Sequence, residues 1–290
     1  MPLFSLLPGR FRARLLAALV LALMGVPFLG AEETLAERTL KEIIERERDV
    51  FARARAEGEE IDEGRLKGEA QSLAQSYNVL LQQAPDFAPA YVAYGMMLGR
   101  VGMTREALAI LFKANELDPK LPLVKNQMAK LLAEDGKPVE ALPWIMAAID
   151  LAPREPLYHF QLGLLLYAAR EEFLHTGAFT RPALDKAMLD AFRHAAELAP
   201  DNIAYAYRHA EAFYDLDQPQ WDEALKAWGA IEDRVASGLE KQTIRLHAAN
   251  IFLKQGKPDH ARTLLDTVTD GRIARQKQTL LDQLASKVEK

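Results

Sequence analysis

Residues 102–119 read GMTREALAILFKANELDP and residues 136–153 read GKPVEALPWIMAAIDLAP. The second stretch repeats the first 34 positions later, pairing Gly102 with Gly136, Ala107 with Ala141, Ala114 with Ala148 and Pro119 with Pro153. Working outward, Pro85 lies 34 residues before Pro119, and Pro200 lies 47 after Pro153, one period plus an insertion of 13. Glu116-Leu117-Asp118-Pro119, Asp150-Leu151-Ala152-Pro153 and Glu197-Leu198-Ala199-Pro200 are nearly the same context. One coincidence carries little. Several residue classes held in one register define a structural repeat, and a period of this size means stacked units.

Each class has a physical role in a helix-turn-helix unit. Gly102 and Gly136 follow helical stretches and can take the left-handed conformation that ends a helix without a Cβ clash. The alanines seven apart, 107 with 114 and 141 with 148, fall on one face of a second helix, where a small side chain lets two axes approach. Proline has no amide donor and cannot continue that helix, so it fixes where the next unit begins. Between these marks the segments read as amphipathic helices without strand alternation. The fold class is all-α.

The pattern resembles the tetratricopeptide repeat family, with Gly or Ala and a large residue in helix A, Ala in helix B and Pro at the unit's end. Unit 88–121 carries Tyr91, Tyr94, Gly95, Leu98, Ala107, Leu111, Ala114 and Pro119. Unit 122–155 carries Met128, Ala129, Leu132, Ala141, Ile145, Ala148 and Pro153, with Lys125 where an aromatic is usual. Unit 156–202 begins with Leu162, Gly163 and Leu166 and resumes with Phe192, Ala195 and Pro200 after the insertion at 171–183. A fourth unit has Ala210 in helix A and Trp221-Asp222-Glu223-Ala224-Leu225 opening helix B; a fifth is marked by Gly256, Pro258 and Ala261. The resemblance implies an α-solenoid of antiparallel helix pairs, about five units wound into a right-handed superhelix.

The ends differ from the array. Thr34 with Glu37, and Ser237 with Glu240, have capping-box spacing. Residues 32–84 read as a helical cap or degenerate repeat whose acidic stretch Glu57–Glu63 is a solvated loop. Residues 85–268 are the array, and 269–290 supply a polar-faced capping helix at its open end. Residues 1–31 hold Arg10, Arg12 and Arg14, an uncharged run from Leu15 to Leu29, and Gly30-Ala31 before Glu32, the three-part pattern of a secretory signal. This run is shorter than a membrane span needs. The expected product is an exported chain in the periplasm or outside the cell, cleaved after Ala31; the alternative is an uncleaved N-terminal anchor, since Leu29 is large for its place before the cut.

Composition narrows the function classes. Without the first 31 residues the chain carries 33 basic and 41 acidic side chains, a net of −8, which argues against a nucleic-acid partner. Absence of cysteine removes disulfides, thiol nucleophiles, thiolate metal sites and a lipoprotein anchor together. No histidine has a second one three or four residues away, and no phosphate loop or nucleophile elbow occurs. The one cluster with chemical potential is Glu171, Glu172, His175, Thr176 and Arg181 in the insertion, near His159. Its plainer reading is a lengthened helix followed by a polar loop, with Thr180–Pro182 opening the next helix. No catalytic residue, metal ligand or cofactor is assigned.

What the resemblance implies is recognition along the helix A face. Carried over position by position, the groove would comprise Val92, Met96 and Arg100, then Asn126 and Lys130, then Phe160, Leu164 and Tyr167. The later units would add Tyr207, Glu211 and Tyr214, then Leu246, Asn250 and Lys254. Asn126 and Lys130 hint at the carboxylate-clamp members of the family, but Phe160 and Leu164 in the next unit do not support a clamp. The expected partner is a protein or peptide segment with apolar anchors in the cell envelope, and the competing expectation is that inward residues pack on one another.

Overall fold

The computed structural model describes residues 33–58, 62–236 and 238–288. Among these every regular element is helical: α1 Leu35–Glu57, α2 Glu63–Gln83, α3 Ala88–Arg100, α4 Thr104–Leu117, α5 Pro122–Glu134, α6 Pro138–Leu151, α7 Pro156–Ala168, α8 Arg170–His175, α9 Arg181–Leu198, α10 Ile203–Ala212, α11 Trp221–Glu232, α12 Gly238–Lys254, α13 Pro258–Asp266 and α14 Ala274–Val288. The all-α fold class is as expected. The described chain divides into two compact units after Ala178. The N-terminal unit holds α1 to α8, and the C-terminal unit holds α9 to α14.

In the N-terminal unit the repeat residues act as their chemistry requires. Gly102 and Gly136 have φ of 80° and 75°. The amides that follow them reach back to close each helix, Met103 to the Leu98 carbonyl at 3.0 Å and Lys137 to the Leu132 carbonyl at 2.9 Å. Pro122 of α5, Pro138 of α6 and Pro156 of α7 sit in the first turn, where the missing donor costs nothing, while a second proline of α6, Pro143, lies inside its helix. Ala107, Ala114, Ala141 and Ala148 are fully buried. A Cβ built on Gly95 would stand 2.7 Å from Leu111 Cγ, so α3 and α4 approach too closely for any side chain there.

The N-terminal hairpin, α1 with α2, is tied to this array by a buried polar network. Thr34 and Glu37 form the expected capping box. Glu47 of α1 accepts from the Tyr77 hydroxyl at 2.7 Å and from Arg100 at 2.8 Å, while Arg100 also lies over Phe51 at 4.7 Å. Burial pushes the Glu47 carboxyl and the Tyr77 phenol above their usual ranges.

The insertion explains why the array divides. In place of one lengthened helix A, α7 stops at Ala168 and a six-residue α8 follows, with Phe173 fully buried. Thr180 then stands at the N-cap of α9 with Pro182 in its first turn. The third unit's helix A therefore belongs to one compact unit and its helix B to the other.

In the C-terminal unit, α10 packs with α9 and α11, α11 with α12, and α12 with α13 and α14. Ala195, Ala210, Ala224 and Ala261 are fully buried, and Trp228 is the largest fully buried side chain. Gly256 repeats the turn chemistry, with φ of 71° and the Lys257 amide 2.8 Å from the Phe252 carbonyl. The expected capping helix is α14, whose Leu280 and Leu284 are buried against Leu253 and Leu265. The signal segment 1–31 and the Ser237 capping box lie outside the described residues. Among those described, no helix is long and apolar enough to cross a membrane.

Candidate binding surface

The first helices of successive repeats in the N-terminal unit are α3, α5 and α7, which touch their neighbours in that order. The period carries Val92 to Asn126 to Phe160, and Met96 to Lys130 to Leu164. α7 contains no charged residue. Phe160, Leu164 and Tyr167 recur on one face of it at helical spacing, and Leu164 and Tyr167 remain 38% and 42% exposed. Arg170 lies 5.7 Å over the Tyr167 ring. Lys130 is exposed 3.8 Å from Glu134, and Arg100 is held by Glu47. Both cations stand on α3 and α5, away from the uncharged helix.

Two expected members of this row are not open to a partner. Val92 is buried in the core, and Asn126 is fully buried with neither side-chain amide atom hydrogen-bonded. Burying an amide without partners costs free energy, and Asn126 does so at the middle of the row. Lys125, where an aromatic is usual, is buried too; its ammonium bonds Asn115 and stands 5.2 Å over the Trp144 ring.

The corresponding row of the C-terminal unit is closed by its own aromatic side chains. Tyr207 meets Trp228 edge-on at 4.7 Å, Trp228 stacks on His247 at 3.9 Å and 11°, and the Tyr214 hydroxyl donates to the His247 carbonyl at 3.1 Å. Burial holds the His247 imidazole neutral, down to about 3, and pushes the Glu211 carboxyl up. Leu246 is fully buried. Asn250 is partly buried, and Lys254 extends over Trp221 at 5.4 Å. Tyr207 and Tyr214 pack against the cluster around Trp228, and Leu246 lies in the cluster of α12 to α14.

The likeness to solved structures is broad. The chain matches YrrB, described as a TPR protein with an unusual peptide-binding site, at a TM-score of 0.57 and 16% identity over 72% of this chain and 99% of that one. PilF of Pseudomonas aeruginosa matches at 0.55 and 15%, over 89% and 100%. A chain of the Naa15/Naa10 complex bound to HypK-THB matches at 0.56 and 17%, over 88% and 35%. The fold is that of the tetratricopeptide repeat proteins. No family model matches the sequence, and no curated protein matches it.

Within this tetratricopeptide repeat fold the cluster of the insertion is divided, His159 and residues 171–176 lying in the N-terminal unit and Arg181 in the C-terminal unit. Phe173 is in the core, and Arg181 is spent inside the C-terminal unit, on Asp185 at 2.9 Å and the Asp215 carbonyl at 2.9 Å. His159 meets the Pro153 carbonyl at 2.8 Å through Nε2. Among the described residues no three acidic or imidazole side chains gather as a metal set.

Two clefts are lined mainly by residues other than the positions carried over from the repeat, Arg100 being the one such position, in the first cleft. One, of about 900 Å³, lies between α2 and α3 and includes Leu66, Ala70, Ala74, Met97 and Met103. The signal for it was the four-residue spacing of Leu66, Ala70 and Ala74. The other, of about 500 Å³, lies among α9, α10 and α11.

Proposed function

We propose that this chain is a non-catalytic scaffold that holds a protein or peptide segment on the helix A side of its N-terminal unit, and that it works after export to the cell envelope. The observation that carries the reading is α7: a helix with no charge whose Leu164 and Tyr167 stay exposed, beside Phe160 and within a row that also bears Lys130. Exposed aromatic and aliphatic side chains grouped on one face mark an interaction site, and Tyr and Arg, here Tyr167 with Arg170 over its ring, are enriched among binding anchors. YrrB supports this reading as a protein of the same fold with a peptide-binding site. Export rests on the Arg-flanked apolar segment at residues 15–29.

A photocrosslinking residue at position 164 of the full chain tests the surface. It should yield a discrete adduct with an envelope protein, lost when Tyr167 is changed to Ser, while the same group at Lys113 on α4 should yield none. Equal adducts at 164 and 113 would overturn the assignment. N-terminal sequencing tests the export step: a mature terminus at Glu32 is expected, and a retained Met1 in the membrane fraction would make the protein an anchored scaffold.

A further inference from the structure

The cleft of the C-terminal unit has a counterpart in the N-terminal unit, and three side chains distinguish them. Buried alanines fix the register between the two: Ala114 with Ala195, Ala129 with Ala210, and Ala141 with Ala224. Counting from each, Phe112 of α4 corresponds to Arg193 of α9, Lys125 of α5 to Ala206 of α10, and Trp144 of α6 to Ala227 of α11. In the N-terminal unit the three sit together. Phe112 meets Trp144 edge-on at 5.6 Å, and Lys125 caps the Trp144 ring. In the C-terminal unit Arg193, Ala206 and Ala227 all line the cleft of about 500 Å³.

Two methyl groups and a guanidinium therefore stand where the repeat elsewhere places two aromatic rings and an ammonium. Phe213 and Ile231 give the cleft an apolar base. His209 adds a neutral imidazole, which burial and the nearby Arg193 push down to about 4. At the rim, Arg193 is shared by Asp190 and Glu197, and Lys226 pairs with Glu223. Arg234 lines the cleft with no ion pair among the described residues. Half of the lining residues are apolar and half polar or charged, and a cleft of about 500 Å³ with an apolar base and a charged rim is within the size range of a small-molecule site.

We propose that this cleft binds a small planar aromatic anion of two rings, the rings lying between α9 and α11 and the acidic group reaching Arg234. The walls supply the burial, Arg193 supplies a cationic face to a ring, and Arg234 supplies the charge-assisted hydrogen bond that orients the ligand. This site is independent of the peptide surface proposed on α7.

2-Naphthalenesulfonate, a fluorescent planar anion with two fused rings and one acidic group, is the probe. It is titrated by fluorescence into the full chain, into Ala227→Trp, into Arg234→Gln, and into a Leu164→Ser, Tyr167→Ser control that removes exposed apolar groups from the other unit. Ala227→Trp copies Trp144 into the cleft and should abolish one class of bound probe while leaving the far-ultraviolet circular dichroism unchanged. Arg234→Gln, an exposed change that leaves folding intact, should weaken that class about tenfold, as expected for loss of one charge-assisted hydrogen bond. The control should retain it. Wild-type titration curves for both Ala227→Trp and Arg234→Gln, or loss of all binding in the control, would overturn the proposal.

Discussion

Phe160, Leu164 and Tyr167 in α7 recur 47 residues later as Tyr207, Glu211 and Tyr214, the same three repeat positions in the next unit. Leu164 and Tyr167 are exposed, whereas Tyr207 and Tyr214 are packed around Trp228 and His247. The contrast extends further: every exposed large hydrophobic side chain among the described residues lies between Leu35 and Tyr167, so none falls in the C-terminal unit. One repeat pattern thus yields two surfaces. In the C-terminal unit the two tyrosines pack into an aromatic cluster of that unit's own helices. α12 brings His247 against Trp228 in the C-terminal unit. In the N-terminal unit Leu164 and Tyr167 of α7 keep more than a third of their surface exposed.

The strongest way to break the comparison is to open the closed row. Trp228→Ala removes the largest fully buried side chain and should destabilise the C-terminal unit by about 3–5 kcal/mol. Hydrogen exchange read by mass spectrometry should show protection lost in α10 to α12 and kept in α3 to α6. Uniform loss across both units would mean that they do not unfold separately. The reciprocal change is Gly95→Val, which places side-chain atoms inside contact distance of Leu111 and should cost about 1–3 kcal/mol in the N-terminal unit. Here the exchange pattern should be reversed.

Much of this was legible in the sequence because the repeat is written in residues whose role is local. A glycine that ends a helix, a proline in its first turn and an alanine at a close crossing depend on their own backbone, so spacing alone located α3 to α7 and the Gly256 turn. The candidate site was less legible because exposure depends on what lies opposite. Tyr167 and Tyr214 have the same residue type and register, yet Tyr214 packs beside Trp228 and His247 while Tyr167 stays exposed, and spacing does not show that difference. Asn126 reads as a polar groove residue, yet the packing of its neighbours buries it. The division after Ala178 was hidden for a similar reason: the insertion reads as a lengthened helix and a polar loop, and spacing does not mark Phe173 as the residue of α8 that is fully buried.

Acid should separate the two units in a measurable way. His247 and His209 are held neutral in the folded chain, down to about 3 and about 4, while unfolded histidine takes up its proton near 6.5. Between those values the unfolded state binds more protons, so the stability of the C-terminal unit falls as pH drops below 6.5, by up to about 1.4 kcal/mol per pH unit for each histidine. Glu211, whose carboxyl is raised, works in the opposite sense within its own window above 4.5. Glu47 does the same in the N-terminal unit: its contribution is present below 4.5 and lost as pH rises through its folded value. Denaturant melts between pH 7 and 5 should therefore show the C-terminal unit weakening and the N-terminal unit not. His247→Phe keeps a ring against Trp228 and should remove one histidine's share of the slope; an unchanged slope would show that His247 is not the group responsible.

The smallest effect gives the sharpest test, because it compares one atom at two equivalent positions. Tyr214→Phe removes a hydroxyl that donates to the His247 carbonyl and should cost about 0.5–1.5 kcal/mol, the net worth of a hydrogen bond in a partly buried site. Tyr167→Phe removes the same hydroxyl from an exposed ring and should stay within about 0.5 kcal/mol of the parent. The functional order should be opposite, with partner crosslinking at position 164 reduced by Tyr167→Phe and untouched by Tyr214→Phe. If Tyr214→Phe also reduces crosslinking without loss of stability, the closed row takes part in recognition, and the distinction between the two units fails at the residue where it is most exact.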